Sequence, residues 1–541
     1  RQFFPPSHSS AVTPVPGVTR RNRGADRISG LPDELLHEIL LRLPSTADAA
    51  RTSLLSRRWR RVWAHVPAIS LTDGDQEARG SSILDAVDAA LAAHAAPALD
   101  RLAISLTDDW DSPRRRELDD IAARVAPWLR FASRHVAGEL SLRLDRPQRR
   151  GWIYISSAPR AALKVPVCER ATAIDVKVEY YGIKLRFRAS GEFSALRVLK
   201  ITGSFRLHER SLERAVSSQC PRLQELTLCN NNGCRRNLTI RSDSLERLKL
   251  GIEVKGTITI QTPRLVQCKM PSLFGLDRLQ RAHIAAPNLA EMTWYDTYDP
   301  QHNMIDDAPR HLQKLKVRLY CLPSAMPMAA LFQRFDTVDE LDLRVKIPPP
   351  RLGLRILRPF GPAVLPSRIR HQEGKFECKA FLKETAKLPQ CKVLKLSIDP
   401  DGLQEYSIVV LHLLRSCANA RKCVLYLDLH GEKVSDFSLP IKKEHGRSSC
   451  GNLQLTTDGL VRDSLEELEL NFYWLHDRDV DMMNQLLLSC GAGLKRVAIR
   501  ALGGPSSELS PGKLETVAGF CRPETTIEFH MDVEPLGVDS W

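Results

Sequence analysis

Two short stretches of the chain decide its fold. Residues Leu223–Leu228 read LQELTL, and residues Leu245–Leu250 read LERLKL. In each stretch the last two leucines alternate with polar residues, which predicts a short strand that buries one face. The first leucine precedes that strand by two residues. Because both stretches share this spacing, we expect each to supply one strand to a common stack.

The same spacing recurs along most of the chain. The clearest copies start 20 to 27 residues apart, a period typical of leucine-rich repeats. Their starts are Leu196, Leu223, Leu245, Leu265, Leu289, Leu312 and Val338. Weaker or more widely spaced copies start at Leu99, Ala137, Ala171, Cys391, Ala420, Leu465 and Leu494. No single repeat can bury its apolar face alone, so the pattern predicts one continuous core made by stacked neighbours.

Length and composition agree with a mostly folded chain. Its 541 residues exceed one ordinary core, and suggest either several domains or one elongated repeat array. Hydrophobic residues make up 43% and charged residues 26%, which excludes disorder over most of the length. The sequence contains no uninterrupted run of about 18 apolar residues, so it predicts no membrane-spanning helix. Thirteen cysteines without a recognisable secretory signal predict reduced thiols, in the nucleus or the cytoplasm.

The net charge of +14 raises the question of nucleic-acid binding. Residues 1–65 hold eleven arginines and five acidic residues, so much of the excess lies at the N-terminus. Only 6% of residues are aromatic, and no basic stripe is interleaved with aromatics. These features make a nucleic-acid partner the less favoured interpretation.

The N-terminal region follows the sequence rules of a small helical module. Residues 31–34, Leu-Pro-Asp-Glu, are suited to open a helix, because proline fits a first turn and acidic residues favour the positive helix end. Leucines then recur at helical spacing up to Pro44, and a second apolar face follows over residues 54–63. About forty residues cannot bury this surface alone, so either the rest of the chain or another protein must cover it.

The segment from Asp26 to Trp59 resembles an F-box. It contains LPDELL at residues 31–36 and RTSLLSRRW at residues 51–59, in the style of plant F-box proteins with leucine-rich repeats, the FBD-like family. The resemblance implies binding to a Skp1-type adaptor and, through it, to a cullin–RING ubiquitin ligase. The implied adaptor-binding residues are Leu31, Pro32, Leu35, Ile39, Leu40, Leu43, Pro44, Leu54, Leu55 and Trp59. Which of these contact the adaptor and which fill the core of the module stays open at this point.

The sequence therefore predicts an α/β protein with a helical F-box followed by an irregular leucine-rich-repeat solenoid, whose short parallel strands line a concave face. The expected boundaries are a disordered basic tail over 1–25, the F-box over 26–66, an irregular linker with degenerate repeats over 67–190, regular repeats over 191–345, a proline-rich insertion over 346–385, and further repeats with a C-terminal cap over 386–541.

Motifs of an enzyme are missing from the sequence. It contains neither a Gly-x-Ser-x-Gly nucleophile motif nor a phosphate-binding Gly-x4-Gly-Lys-Ser/Thr loop. In the family that the chain resembles, a separate RING subunit supports catalysis. We expect no catalytic residues, no metal and no cofactor, and we leave open a small-molecule ligand in the solenoid.

Polar positions between the repeat leucines should point towards a partner. In the middle repeats these positions are basic, which suggests a central patch for an acidic or phosphorylated target. The patch comprises Lys200, Arg247, Lys249, Lys269, Lys314 and Lys316. The resemblance implies that the protein is the substrate receptor of a Skp1–cullin–F-box ligase. The alternatives are a Skp1-binding scaffold without ubiquitin transfer and a basic nucleic-acid-binding protein.

Overall fold

The structure of the protein is a computed structural model. It describes residues 28, 30–43, 46–72, 83–107, 115–145, 161–180, 182–234, 237–254, 256–270, 281–295, 298–320, 328–346, 378–399, 406–417, 419–427, 464–472, 483–488, 490, 493–501, 519, 521 and 523–531. The predicted tail over residues 1–25 lies outside these ranges.

The N-terminal module consists of short helices. They are α1 (Asp33–Leu41), α2 (Thr46–Arg51), a 3-10 turn (Thr52–Leu54) and α3 (Arg57–Ala64). Pro32 directly precedes α1, and its carbonyl oxygen accepts a hydrogen bond of 3.1 Å from the Leu36 amide. Ser56 caps α3, since its hydroxyl accepts a hydrogen bond of 3.3 Å from the Trp59 amide. The second apolar segment is thus divided between a turn and a helix.

Within the described residues, sixteen strands form one parallel sheet, the main sheet. In sheet order, the strands are β1 (Ala68–Thr72), β2 (Leu99–Thr107), β3 (Val136–Asp145), β5 (Ala173–Val178), β7 (Val198–Gly203), β9 (Glu225–Cys234), β11 (Arg247–Val254), β13 (Gln267–Met270), β15 (Glu291–Trp294), β17 (His311–Tyr320), β18 (Thr337–Lys346), β19 (Gln390–Asp399), β20 (Lys422–Leu427), β21 (Glu467–Phe472), β22 (Arg496–Ala501) and β23 (Thr526–Met531). The predicted repeats are therefore consecutive neighbours in one sheet.

The repeat leucines fill the core on one side of this sheet. Leu226 and Leu228 on β9 align with Leu248 and Leu250 on β11, and all four are buried. This register places the apolar side chains of β9 and β11 on one face and their polar ones on the other. The predicted mixed α/β solenoid of parallel strands is confirmed.

A second layer covers the apolar face. It contains two small parallel sheets, with strands β4 (Ala161–Val165), β6 (Ile183–Phe187) and β8 (Arg206–Leu207) in one, and β10 (Leu238–Arg241), β12 (Thr257–Gln261), β14 (Arg281–Ala285) and β16 (Asn303–Asp306) in the other. The remaining helices are α4 (Ile83–Ala93), α5 (Arg115–His135), α6 (Glu209–Arg214) with a π-helical turn at Ala215–Gln219, α7 (Ala329–Arg334), α8 (Cys378–Glu384) and α9 (Tyr406–Ser416). Among the described residues, no helix combines the length and apolarity that crossing a membrane requires.

The N-terminal module connects directly to the main sheet. Strand β1 starts four residues after α3 ends, and the Ser70 amide donates a hydrogen bond of 3.1 Å to the Thr46 hydroxyl on α2. The Ala64 carbonyl oxygen accepts a 2.8 Å hydrogen bond from the Ala95 amide. Residues 67–190, expected to begin as an irregular linker, contain the first four strands of the sheet. The module and the repeats thus share one core.

The later part of the chain continues the same stack. The proline-rich insertion expected over residues 346–385 falls mostly outside the described residues, which here include only the end of β18 and helix α8. Strands β19 to β23 follow in sheet order within the segment expected to hold further repeats. Each pairs in parallel with its predecessor, so the face of polar side chains extends to β23.

Candidate functional site

The first candidate surface lies on the N-terminal module, which sorts its apolar residues onto two sides. Leu36 and Leu40 face inward from α1, where they are buried with Trp59, Val62 and Trp63 of α3. Residues four apart share one side of a helix, so these two leucines form a single inner stripe. Packing of the two helices against each other therefore uses one side of α1 only.

Apolar side chains of the module that lie outside this core are exposed. Leu54, the last residue of the 3-10 turn, is 81% exposed, and the next residue, Leu55, is 70% exposed. Leu35 and Ile39, again four residues apart, lie exposed on α1. Six of the ten large apolar side chains that are exposed in the described part of the chain fall between residues 28 and 55: Ile28, Leu35, Ile39, Leu41, Leu54 and Leu55. Such a concentration marks an interaction surface.

Arg58 fixes the turn that precedes α1. The Arg58 guanidinium on α3 donates to the Leu31 carbonyl oxygen and, at 2.7 Å, to the Asp33 carboxylate. The hydrogen bond from Arg58 lowers the pKa of Asp33 below its usual value. His37 adds a second link, with its Nε2 atom 3.0 Å from the Val62 carbonyl oxygen. Together these contacts fix the turn before α1 against α3.

The structure distributes the predicted adaptor-binding residues among three environments. Pro32, Leu35, Ile39, Leu54 and Leu55 are exposed, whereas Leu31 and Leu43 are partly buried. Leu40 and Trp59 are buried in the module's own core, and Pro44 lies outside the described residues.

Sequence reasoning missed two exposed apolar residues of this surface, Ile28 and Leu41. Ile28 stands inside the quoted F-box stretch, where its apolar side chain among polar neighbours was an available signal. Leu41 ends α1, and no sequence signal distinguished it from the buried leucines.

The second candidate surface is the polar side of the main sheet, here called the open face. Outward side chains from neighbouring strands form rows at the same register. One row runs through Thr227, Lys249, Lys269, Thr293 and Lys316, on strands β9 to β17. Parallel strands lie about 4.8 Å apart, so each row brings side chains of distant repeats side by side.

Most charges on the open face are paired across strands. Lys314 lies 2.8 Å from Glu340, and Lys316 lies 2.9 Å from Asp342. The Glu225 carboxylate on β9 lies 3.3 Å from Arg247 and 3.8 Å from Lys200. Four members of the predicted basic patch are therefore paired with carboxylates on neighbouring strands, and Lys200 and Arg247 share one of these, Glu225. The sequence predicts the positions of these cations but not their carboxylate partners, because spacing alone does not show which residues face each other. Target binding by the patch stays a prediction.

The ion pairs of β17 and β18 are partly removed from water. Asp342 is only 7% exposed. Burial lowers the pKa of Lys316, and the attraction of Asp342 offsets this only in part. For Lys314, burial is outweighed by the hydrogen bond and the charge of Glu340, so its pKa is raised. Lys314 and Lys316 therefore stabilise the contact between β17 and β18 through ion pairs within the chain.

Lys249 and Lys269 differ from the other members of the predicted patch. They face each other on β11 and β13, and neither forms an ion pair or a hydrogen bond with any residue of the described ranges. Both are partly exposed. The free positive charge of the predicted patch is thus concentrated at two adjacent positions.

Reactive groups are scarce in the described ranges. Burial raises the pKa of the Cys168, Cys220 and Cys268 thiols to about 12, so these thiols stay protonated at neutral pH. Cys268 is one of the repeat-core residues at a leucine position. No group of three or more His, Cys, Asp or Glu residues within those ranges could hold a metal ion.

Two family models match the chain. The F-box domain matches residues 28–68, which are the N-terminal module and the start of β1. The LRR repeats of FBD-associated F-box protein At5g56370 match residues 125–306, which extend from α5 to β16. The first range contains the exposed apolar residues of the N-terminal module, and the second contains Lys249 and Lys269 of the open face.

Relatives from Arabidopsis thaliana agree with these matches. The putative F-box protein At3g58860 is 27% identical over 253 residues, which are 44% of this chain and 50% of that relative. The putative FBD-associated F-box protein At5g56390 is 26% identical over 320 residues, covering 57% of this chain and 69% of the relative. F-box/LRR-repeat protein At5g02910 is 58% identical over 48 residues, 9% of this chain and 10% of its own length. The resemblance to plant F-box proteins with leucine-rich repeats is confirmed.

Proposed function

Because the chain carries an F-box followed by leucine-rich repeats of the plant FBD-associated type, we propose that it is the substrate-recognition subunit of a Skp1–cullin–F-box ubiquitin ligase. The F-box docks on a Skp1-type adaptor, and the adaptor connects it to the cullin–RING ligase. The open face of the repeats binds the target protein, whose identity the proposal leaves open.

The concentration of exposed apolar side chains on the F-box carries this proposal. Leu54 and Leu55 rank as the two most exposed large apolar residues of the described ranges, in a module whose own core is complete without them. Burying one such side chain contributes about 1.5–3 kcal/mol. A protein partner that covers this surface gains that free energy, which a small polar ligand could not supply.

The mechanism is proximity and needs no chemistry from this chain. The hydrogen bond between Ser70 and Thr46, together with the direct passage from α3 to β1, attaches the F-box to the sheet without a flexible linker. A target on the open face is then held at a fixed orientation to the ligase. Bond formation takes place at the RING-bound conjugating enzyme, so the proposal requires no cofactor.

The proposal is tested by capturing the full chain together with a Skp1-type adaptor and a cullin. We expect Leu31→Ala combined with Pro32→Ala to abolish adaptor capture, because it removes the partly buried Leu31 side chain and the exposed Pro32 ring from the turn in front of α1. Val266→Ala combined with Met304→Ala is the matched control, since both residues are exposed and apolar but lie in the repeats. Full adaptor affinity in the first double variant would refute the assignment.

Two other functions are distinguished by further measurements. A scaffold that binds the adaptor without ubiquitin transfer would leave the half-life of its captured partner unchanged when the protein is depleted. A nucleic-acid binder would show binding to DNA or RNA that falls steeply with salt. Under the proposed function, the captured partner accumulates on depletion.

We further propose the nucleus or the cytoplasm as the place of action. Buried cysteines such as Cys168, Cys220 and Cys268 are free thiols, which agrees with a reducing compartment. Fluorescence of a tagged full chain tests this, and secretion of the tagged chain would contradict it.

A further inference from the structure

The open face is not evenly charged along the sheet. On its three central rows, the outward side chains of β11 to β18 include seven cations and three carboxylates: Arg247, Lys249, Lys269, Lys314, Lys316, Arg318 and Arg344 against Glu291, Glu340 and Asp342. On the same rows, β1 to β9 carry four cations and three carboxylates, and β19 to β23 carry the same numbers. The positive excess lies in the middle of the sheet.

Within this middle part, like charges stand directly opposite each other at two places. Lys249 faces Lys269 on neighbouring strands, and Arg318 faces Arg344. Facing like charges destabilise a sheet pair. Arg318 packs its guanidinium over the Tyr295 ring at 4.3 Å, so part of its cost is offset by that contact. Lys249 and Lys269 have no such compensation among the described residues.

The surroundings of the two lysines suit a compact anion. Thr227 precedes them in the row and Thr293 follows them, so hydroxyl groups lie on both sides of the ammonium pair. The next outward residue of β11 is Gly251, which has no side chain to fill the space beside Lys249. Thr227, Lys249, Lys269 and Thr293 are here called the lysine–threonine site.

We propose that the lysine–threonine site binds a phosphorylated serine or threonine of the target protein. This inference rests on the proposed function and specifies the class of target. A phosphoryl group carries a charge of about −1.5 to −2 and three acceptor oxygens, which two adjacent ammonium groups and flanking hydroxyls can satisfy together. A single carboxylate would neutralise only one of the lysines.

The extent of the free charge favours a phosphorylated side chain over a nucleic-acid backbone. Nucleic acids present a phosphate at every nucleotide, and their binding surfaces repeat cations along the strand. Here, the other cations of the patch near the lysine–threonine site already have carboxylate partners. Lys200 and Arg247 pair with Glu225, and Lys316 pairs with Asp342. Among the described residues of this row, the cations without a carboxylate partner therefore lie on two adjacent strands. That width suits one phosphoryl group.

The test measures binding of the full chain to degenerate peptides with a fixed central phosphoserine. The same peptides with serine, a polyglutamate peptide and a poly(dT) oligonucleotide serve as comparison probes. We expect the phosphoserine peptides to bind at least about tenfold more tightly than the serine peptides, since a single hydrogen bond to a charged group is strong enough to supply that factor. We also expect polyglutamate and poly(dT) to compete poorly.

Two double variants separate a specific site from general charge. Lys249→Gln with Lys269→Gln should abolish the preference for phosphoserine. Lys200→Gln with Lys422→Gln removes the same charge from paired positions of the same face and should preserve it. Thermal denaturation of both variants confirms that each remains folded, and adaptor capture by each confirms that the F-box is intact.

Several results would overturn the inference. They are equal binding of phosphorylated and unphosphorylated peptides, equal losses in the two double variants, equally strong competition by polyglutamate, or tighter binding of poly(dT). None of these affects adaptor capture, so failure of the lysine–threonine site is distinguishable from failure of the proposed function.

Discussion

The F-box and the repeats use leucine in opposite ways. In the repeats, Leu226 and Leu248 point into the core and are buried by the neighbouring strands. In the F-box, Leu54 and Leu55 stay largely exposed although a core lies nearby. The charged residues of the repeats mostly have partners. Most lysines of the open face pair with carboxylates of the same chain, as Lys314 does with Glu340. In the described residues, one surface leaves apolar side chains exposed, whereas the other pairs most of its charges within the chain.

This difference tells where binding free energy can come from. Under the proposed function, the F-box gains binding free energy when a protein of complementary shape covers its exposed apolar area. On the open face, a ligand has to compete with ion pairs within the chain. Binding free energy is therefore expected mainly from described side chains without such a pair, Lys249 and Lys269. Two separate kinds of partner therefore fit the two regions.

The largest expected effect separates the inner from the outer side of the F-box. Trp59→Ala removes a buried side chain of the module core and should lower the free energy of unfolding by about 3–5 kcal/mol. Leu54→Ala, at an exposed position, should change it by no more than about 0.5 kcal/mol. Hydrogen exchange of the α1 amides measures both. Similar losses of protection in the two variants would contradict the assignment of inner and outer sides.

A smaller effect should distinguish the paired from the unpaired lysines of the open face. Lys316→Gln leaves the buried Asp342 carboxylate without its partner and should destabilise the protein by about 1–3 kcal/mol. Lys249→Gln with Lys269→Gln relieves a like-charge contact and should be neutral or stabilising, by up to about 1 kcal/mol. Denaturant unfolding at low salt compares them. Destabilisation by the second variant as large as by the first would show that its lysines have a structural role.

The smallest effect concerns pH at the junction of the two regions. Burial, followed by the nearby His135 and His65, lowers the pKa of His94 below its ordinary value. The unfolded chain then binds this proton more readily than the folded one, so the free energy of unfolding falls as pH drops through about 6.5.

His94→Gln should reduce that fall between about pH 7.5 and pH 5.5. His208 and His412 have pKa values lowered in the same direction, again chiefly by burial. The difference between wild type and variant therefore isolates His94. An unchanged pH dependence in the variant would exclude this contribution.

Repeat spacing and F-box residues predicted most of the architecture, because core positions are set by local alternation. The pattern at Leu245–Leu250 already specifies which side chains of β11 are buried. Similarly, RTSLLSRRW at residues 51–59 identified the module that the F-box model matches. Both signals lie within a few neighbouring residues, which is why a single sequence contains them.

Two features depended on contacts between distant residues. Leu35 and Leu36 are adjacent in sequence, yet only the packing of α3 against α1 decides that the first is exposed and the second buried. Lys316 and Asp342 are 26 residues apart, and their pairing follows from the register of β17 with β18. Sequence spacing predicts the strands but not which residues face each other, so the carboxylate partners of the basic patch were not predicted.

Affinity for a Skp1-type adaptor tests the central claim most directly. Leu54→Asp with Leu55→Asp places two charges on the exposed F-box surface without touching its core, and Val266→Asp with Met304→Asp makes the same change on exposed apolar residues of the repeats. We predict that calorimetric titration shows at least about a 100-fold weaker complex for the first variant and unchanged affinity for the second. Affinities for the two variants that agree within about twofold would contradict the account.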